Sequence, residues 1–148
     1  PSLMAEIMEH RNIIGGKLSQ DDMGQLVETL RITRGRVSVN TGIDSQFYPA
    51  LCVGSRGIFS TASCVIPRQM ADIYDHFLAG RHEEARELHM KVQVLNRFLE
   101  YDPGYVAPAK EALAMLGIPC GAARKPLPPL TDEQRAGVKT ALQALGML

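Results

Sequence analysis

The sequence predicts an α/β fold in which parallel strands alternate with helices. Three short apolar runs that suit strands end near Lys17, Asn40 and Ser60, about twenty residues apart, and a helical pattern follows each. This βαβαβα order implies parallel strands joined by right-handed crossovers. The rest of the chain is helical in pattern. We therefore divide the sequence into an α/β part, residues 1–80, and a helical extension, residues 81–148.

The three strands are predicted from short runs of apolar residues bounded by glycine or polar residues. Residues 12–17 carry Ile13 and Ile14 before two glycines and a lysine, a run too short for a helix and typical of a buried strand. Residues 36–40 and 57–61 have the same character and are predicted to be the second and third strands.

The helices are predicted from apolar spacing and from capping residues. Ser19 is the expected cap of the helix after the first strand, and Asp21 and Asp22 lie in its first turn, where negative charge suits the helix dipole. Thr131 and Gln134 form a capping box for the last helix. The remaining expectations are a helix end at 3–9, helices at 47–53, 67–79, 81–100 and 107–117, a turn at 102–104 and an extended segment at 118–130.

Charge and composition exclude several classes of protein. The 148 residues carry 16 basic and 16 acidic side chains, so the net charge is zero, which argues against nucleic-acid binding and against a polybasic membrane patch. No run approaches the roughly 18 apolar residues of a membrane span, and no signal peptide is recognisable. Three cysteines without a CxxC pair and four histidines without an HExxH motif predict neither disulfides nor a metal site. We expect a cytoplasmic protein.

Lys17 is the residue whose position indicates chemistry. It follows two glycines at the carboxyl end of the first predicted strand, and reactive groups of α/β proteins lie at that edge. A lysine in an apolar pocket presents a neutral amine, which attacks carbonyl carbon and forms a Schiff base. The alternative is a structural lysine whose stem lies on the sheet rim and whose amine reaches solvent.

The residues around Lys17 belong to a longer series of motifs. Residues 14–17 read IGGK, 42–44 read GID and 54–60 read GSRGIFS, followed by Pro67; further on, 108–110 read PAK and 124–131 read RKPLPPLT. In this order and spacing, the series resembles the second half of the dihydrodipicolinate synthase / N-acetylneuraminate lyase family, over essentially the whole chain. Two departures are Gly16 in place of a bulky aliphatic residue and the absence of an asparagine shortly before Pro67.

The resemblance implies a fold and an activity. The fold is the C-terminal part of a (β/α)8 TIM barrel, with strands six to eight in residues 1–80 and a C-terminal helical extension in residues 81–148. The activity is that of a class I pyruvate-dependent lyase, which needs no metal or other cofactor. The expected partners are a small 2-oxo acid such as pyruvate and further copies of the chain, because the family is usually tetrameric.

The resemblance also assigns roles to particular residues. Lys17 matches the Schiff-base lysine of the sixth strand. The substrate-binding positions are Gly42 and Asp44 after the seventh strand and Phe59 and Ser60 at the end of the eighth.

The substrate and the completeness of the barrel stay open at this point. Condensation of pyruvate with an aspartate semialdehyde is the first expectation, and cleavage of N-acetylneuraminate, a 2-oxo-3-deoxy sugar acid or 4-hydroxy-2-oxoglutarate is the alternative. The family's first half, with its Gly/Thr-rich loop and its proton-shuttling tyrosine, is expected to be absent. The chain would then need a polypeptide that carries that half. The alternative from another functional class is that the chain is a non-catalytic half-barrel or assembly module.

Overall fold

The first compact unit of the chain contains a two-stranded sheet with its helices. The computed structural model describes residues 1–101 and 104–148, and the chain divides into two compact units, Pro1–Ser60 and Thr61–Leu148. In chain order, the first unit contains α1 (Ser2–Ile7), β1 (Gly15–Leu18), α2 (Met23–Thr33), β2 (Ser38–Thr41), a 3₁₀ turn (Asp44–Gln46) and α3 (Phe47–Cys52). The α/β class predicted from the sequence is confirmed.

β1 and β2 form a parallel pair, as their connection through a helix requires. Gly15 lies opposite Ser38 and Lys17 opposite Asn40, and the Gly42 amide extends the ladder by donating to the Leu18 carbonyl at 2.7 Å. The carboxyl ends of both strands therefore meet at one edge, which brings the residues after β1 next to those after β2.

The core of the first unit lies between the sheet and α2. Val39 is fully buried, and Leu18 and Leu26 are nearly so. Met8 packs on Gly16, where any side chain would overlap its methyl group. This apolar layer, to which Val37 and Ala50 also belong, holds the α2 crossover against the sheet.

The prediction of a third strand at residues 57–61 is wrong. The structure has a single parallel bridge there, between Ile58 and Thr41. The Thr41 carbonyl accepts from the Phe59 amide at 3.0 Å, and the Thr41 amide donates to the Gly57 carbonyl at 3.2 Å. In the described residues no further strand pairs with this segment, so it does not extend into a ladder.

The expected burial of the first strand is also wrong. β1 begins at Gly15 instead of residue 12, and Ile14 is 83% exposed. Lys17 is exposed as well, and Leu18 is the buried residue of the strand. β1 pairs with β2 on one side, and within the described residues its other edge has no strand beside it.

One helix cap differs from the one predicted. Asp22, rather than Ser19, caps α2, since its side chain accepts from the Gly24 amide at 2.8 Å. The helix ends at Thr33, and Arg34 takes the left-handed conformation before Gly35. The predicted α3 is confirmed, with the 3₁₀ turn preceding it.

In the described part of the second unit, helices are the only regular elements. After a 3₁₀ turn (Ala62–Cys64) it contains α4 (Pro67–Leu78), α5 (His82–Glu100), α6 (Val106–Met115) and α7 (Asp132–Ala144). These helices match the sequence predictions to within a few residues. The predicted turn at 102–104 falls in part on Asp102 and Pro103, which lie outside the described residues.

The core of this unit is built on α5. Its buried stripe is formed by Ala85, Val92, Leu95 and Leu99, which follow helical spacing. Phe98 lies directly over Gly137 of α7, where any side chain would overlap the ring. The two helices therefore approach closely, as does α4 to α5.

The segment between α6 and α7 runs without helix or strand, as its prolines predict. The amine of Lys110 donates to the carbonyls of Cys120 at 2.7 Å and Ala122 at 3.3 Å and so holds the segment on α6. The capping box of Thr131 with Gln134 is confirmed, with both reciprocal bonds formed.

The unit boundary after Ser60 lies earlier than the boundary of residues 1–80 and 81–148 drawn from the sequence. The reason is that α4 packs on α5 and on the 3₁₀ turn Ala62–Cys64, so it belongs to the second compact unit. Across residues 1–101 and 104–148, no helix has the length and apolar character to cross a membrane.

Candidate functional site

Lys17 lies near the carboxyl end of β1, one residue before the end of the strand. The structure leaves its side chain exposed, so the apolar surround expected from the sequence is not supplied by the residues described. Within residues 1–101 and 104–148 no hydrogen bond or ion pair engages this side chain.

Gly42 provides the surface on which the Lys17 stem lies. A Cβ at position 42 would overlap both Lys17 Cε and Ser19 Oγ. The proximity follows from the parallel register, because Ser19 succeeds Leu18 where Gly42 succeeds Thr41. The glycine thus leaves room for the end of the lysine in this orientation.

Ser19 joins this group through the same contact. Because a single Cβ atom at position 42 would overlap both atoms, Ser19 Oγ and Lys17 Cε lie within about 4 Å of each other. Side chains two residues apart on an extended chain share a face, which explains why the hydroxyl and the lysine stem meet. Lys17 and Ser19 also line a surface cavity of about 240 Å³, with Gln20, Gln25 and Thr29 among its other walls.

Asp44 and Ser60 form a second pair. Asp44 opens the 3₁₀ turn after β2 and is 2% exposed, and the Ser60 hydroxyl donates to its Oδ1. The carboxylate precedes α3, where the positive end of the helix dipole favours a negative charge. The chain thus holds a buried carboxylate and a hydroxyl together at the carboxyl side of β2.

Phe59 contributes its backbone to this arrangement more than its ring. The ring is 59% exposed, whereas the amide is tied to the Thr41 carbonyl. Ser55, which is buried, donates from its hydroxyl to the Val39 carbonyl at 3.0 Å and to the Gly57 carbonyl at 3.2 Å. These bonds fix the 55–60 segment beside β2 in place of a strand ladder.

Thr41 was not singled out from the sequence, although it shapes the chain beside the candidate residues. It is fully buried, its backbone pairs with residues 57–59, and its Oγ1 accepts from the Ile43 amide at 3.2 Å. Thr41 therefore sets the path of the chain from Gly42 to Asp44. Its position as the last residue of β2, directly before a glycine, was the available signal.

Comparison with known proteins gives a consistent result. Residues 1–145 match the sequence profile of the dihydrodipicolinate synthetase family. The 4-hydroxy-tetrahydrodipicolinate synthase of Archaeoglobus fulgidus is 33% identical over 148 residues, which are 100% of this chain and 51% of that protein. The enzyme of the same name from Methanospirillum hungatei is 32% identical over 143 residues, 96% of this chain and 49% of that protein.

Solved structures agree with the sequence comparisons. The dihydrodipicolinate synthase of Thermotoga maritima superposes with a TM-score of 0.91 at 29% identity, over all of this chain and 51% of that one. The enzyme from Cyanidioschyzon merolae, solved with lysine bound, gives 0.93 at 29% identity over 99% of this chain and 50% of that one. These relatives are TIM barrels, and the chain spans about half of their length. With a family profile matching nearly its whole length, the chain belongs to the dihydrodipicolinate synthetase family.

Proposed function

We propose that the chain supplies the Schiff-base half of a pyruvate-dependent lyase, with the 4-hydroxy-tetrahydrodipicolinate synthase reaction as its activity. The observation that carries the proposal is the place of Lys17, near the carboxyl end of a parallel strand, with its stem on Gly42 and its amine without an ion pair among the described residues. The relatives of that name, about 30% identical over the whole chain, support it.

The chemistry assigned to Lys17 is imine formation with a 2-oxo acid such as pyruvate. The lone pair of the neutral amine forms a bond to the C2 carbon, and the carbonyl π pair moves to oxygen, which takes a proton. Loss of the second N–H proton and expulsion of water then leave the imine. The imine withdraws electrons from C3, so no metal or other cofactor is required.

The other predicted site residues are proposed to hold the substrate around that imine. Gly42 admits the lysine stem, while Phe59 offers its backbone carbonyl at the edge of the site. Asp44 and Ser60 form a polar pair, and these residue types suit hydroxyl groups of a substrate. That pair is the observation that favours the second candidate, cleavage of N-acetylneuraminate, a 2-oxo-3-deoxy sugar acid or 4-hydroxy-2-oxoglutarate.

We place residues 1–80 as strands six to eight of the barrel and residues 81–148 as its C-terminal helical extension. The order of the lysine strand, the Gly42–Asp44 loop, the 57–60 segment and the closing helices supports this assignment. A polypeptide with the remaining strands would complete the site and pair with the free edge of β1. The exposure of Ile14 beside that edge is consistent with such pairing, since it leaves apolar surface to be covered.

The completed protein is proposed to be a cytoplasmic homo-oligomer, a tetramer in the pattern of the family. The test of the activity is borohydride trapping with pyruvate. The chain is assayed alone and co-expressed with the part of the Archaeoglobus fulgidus protein that it does not match, with the intact relative as a positive control. We expect one pyruvate-sized mass on the peptide with Lys17, and none in Lys17→Arg. Absence of the adduct in both preparations would refute the lyase function and favour a non-catalytic module.

Size-exclusion chromatography separates the two classes of function further. A half-barrel is expected to associate with the complementing segment, because β1 presents unpaired backbone groups at its edge. A stable monomer that does not bind the segment would support an independent module.

A further inference from the structure

We infer that Ser19 is a positioning residue for Lys17: its hydroxyl holds the end of the lysine side chain against Gly42, in the orientation from which the amine attacks. The inference deepens the proposed function and rests on it for its catalytic meaning. Its structural basis, the contact of Ser19 Oγ with the lysine stem, is independent of any substrate.

The first step is the geometry of the lysine terminus. Ser19 Oγ and Lys17 Cε both lie within the space that a Cβ of residue 42 would occupy. The amine-bearing carbon is thus bounded by the bare Cα of Gly42 on one side and by the hydroxyl on another. A hydrogen bond joins the two backbone segments that carry these boundaries, since the Gly42 amide donates to the Leu18 carbonyl between Lys17 and Ser19.

The second step is the freedom that the lysine would otherwise have. Four rotatable bonds separate its backbone from the amine, and an exposed lysine samples many rotamers, so selecting one of them costs conformational entropy. Lys17 has no hydrogen bond or ion pair in the described part of the chain to select a rotamer. The contacts shown for its terminus are those with Gly42 and Ser19, which limit the rotamers open to it on that side.

The third step is the consequence for reaction. The attacking nitrogen must lie close to the carbonyl carbon with its lone pair directed at it, and misplacement by about 1 Å costs on the order of a hundredfold in rate. A residue that orders the amine without binding the 2-oxo acid changes the maximal rate of imine formation. It leaves the pyruvate concentration for half-maximal rate unchanged.

The experiment compares wild type, Ser19→Ala and Ser19→Thr in the completed protein by two readouts. The first is the rate of borohydride-trapped adduct as a function of pyruvate concentration. The second is ¹³C relaxation of the ε-methylene of Lys17 in lysine-labelled protein without substrate, assigned with Lys17→Arg, with Lys91 and Lys139 as internal references.

For Ser19→Ala we expect a maximal rate lowered about tenfold or more, an unchanged half-saturating concentration and a more mobile Lys17 ε-methylene. Ser19→Thr keeps the hydroxyl and is expected to restore both readouts. A raised half-saturating concentration with an unchanged maximal rate would overturn the inference, because the hydroxyl would then bind the substrate. Equal mobility of the methylene in Ser19→Ala and wild type would also overturn it.

The two readouts separate this inference from the proposed function. If wild type forms no adduct, the lyase function fails, while the relaxation measurement still decides whether Ser19 orders the lysine.

Discussion

Replacing Gly42 with alanine is expected to disable Lys17 while leaving the fold intact. Gly42 does not have a positive φ angle, so its backbone conformation is open to alanine. The added methyl overlaps Lys17 Cε and Ser19 Oγ. Carbon atoms pack at about 3.5–4.0 Å, so the lysine terminus must retreat by more than about 1 Å.

The expected magnitudes follow from those contacts. Lys17 is exposed and can turn into solvent, so the steric cost to the fold is small. A Gly→Ala change at a compatible position stabilises by about 0.4–1 kcal/mol through the unfolded state. The free energy of unfolding should therefore change by less than about 1 kcal/mol, while displacement of the amine lowers the rate of imine formation by about a hundredfold.

Urea denaturation and borohydride trapping with pyruvate measure the two effects. Gly57→Ala is the matched control, because its added methyl would contact Asn40 Oδ1 at 3.2 Å and not the lysine. It should trap pyruvate at the wild-type rate. A Gly42→Ala protein that traps pyruvate as fast as wild type would refute the steric argument, and so would one destabilised by several kcal/mol.

Three further predictions concern single contacts. Ser60→Ala removes a donor to the buried Asp44 carboxylate and should cost about 1.5 kcal/mol in urea denaturation, whereas Ser60→Thr should cost less; equal losses would contradict the role of the hydroxyl. Thr131→Ala breaks the capping box and should destabilise the second unit by about 0.5–2 kcal/mol, with Thr131→Ser as the control that retains stability. The hydrogen bond from Arg31 holds the pKa of Glu28 below the ordinary value of a glutamate. The pair therefore stabilises the fold above that ordinary value, and this stabilisation is lost as the pH falls through the lowered pKa. Arg31→Gln should return the Glu28 pKa, followed by NMR titration, to its ordinary range.

Local patterns predicted most of the helices. Pro67 at the start of α4, the apolar stripe of α5 and the capping box of α7 are all read from neighbouring residues. Helical hydrogen bonds and caps join residues within one or two turns, so nearby sequence contains the necessary information. The cap of α2 was misplaced because Ser19 and Asp22 are both acceptable capping residues, and the direction of the chain leaving β1 decides between them.

The strands could be predicted only in part, because a strand depends on its neighbour. Residues 57–61 have the composition of a strand, yet the described structure pairs them with β2 at the Thr41–Ile58 bridge alone. The exposure of Ile14 and Lys17 has the same origin, since β1 has β2 on one side and no described strand on the other. Burial is a property of the assembled sheet.

The sequence by itself determined the α/β class, the helices and the identity of the candidate lysine, because periodicity, caps and motif order are local properties of the chain. Only the tertiary structure decided that Gly42 and Ser19 lie against the end of the Lys17 side chain. It also decided that the Ser60 hydroxyl donates to Asp44. The contact of Gly42 with Lys17 joins residues 25 positions apart, and that of Ser60 with Asp44 joins residues 16 apart; the parallel register of β1 on β2 brings the ends of the two strands to one edge.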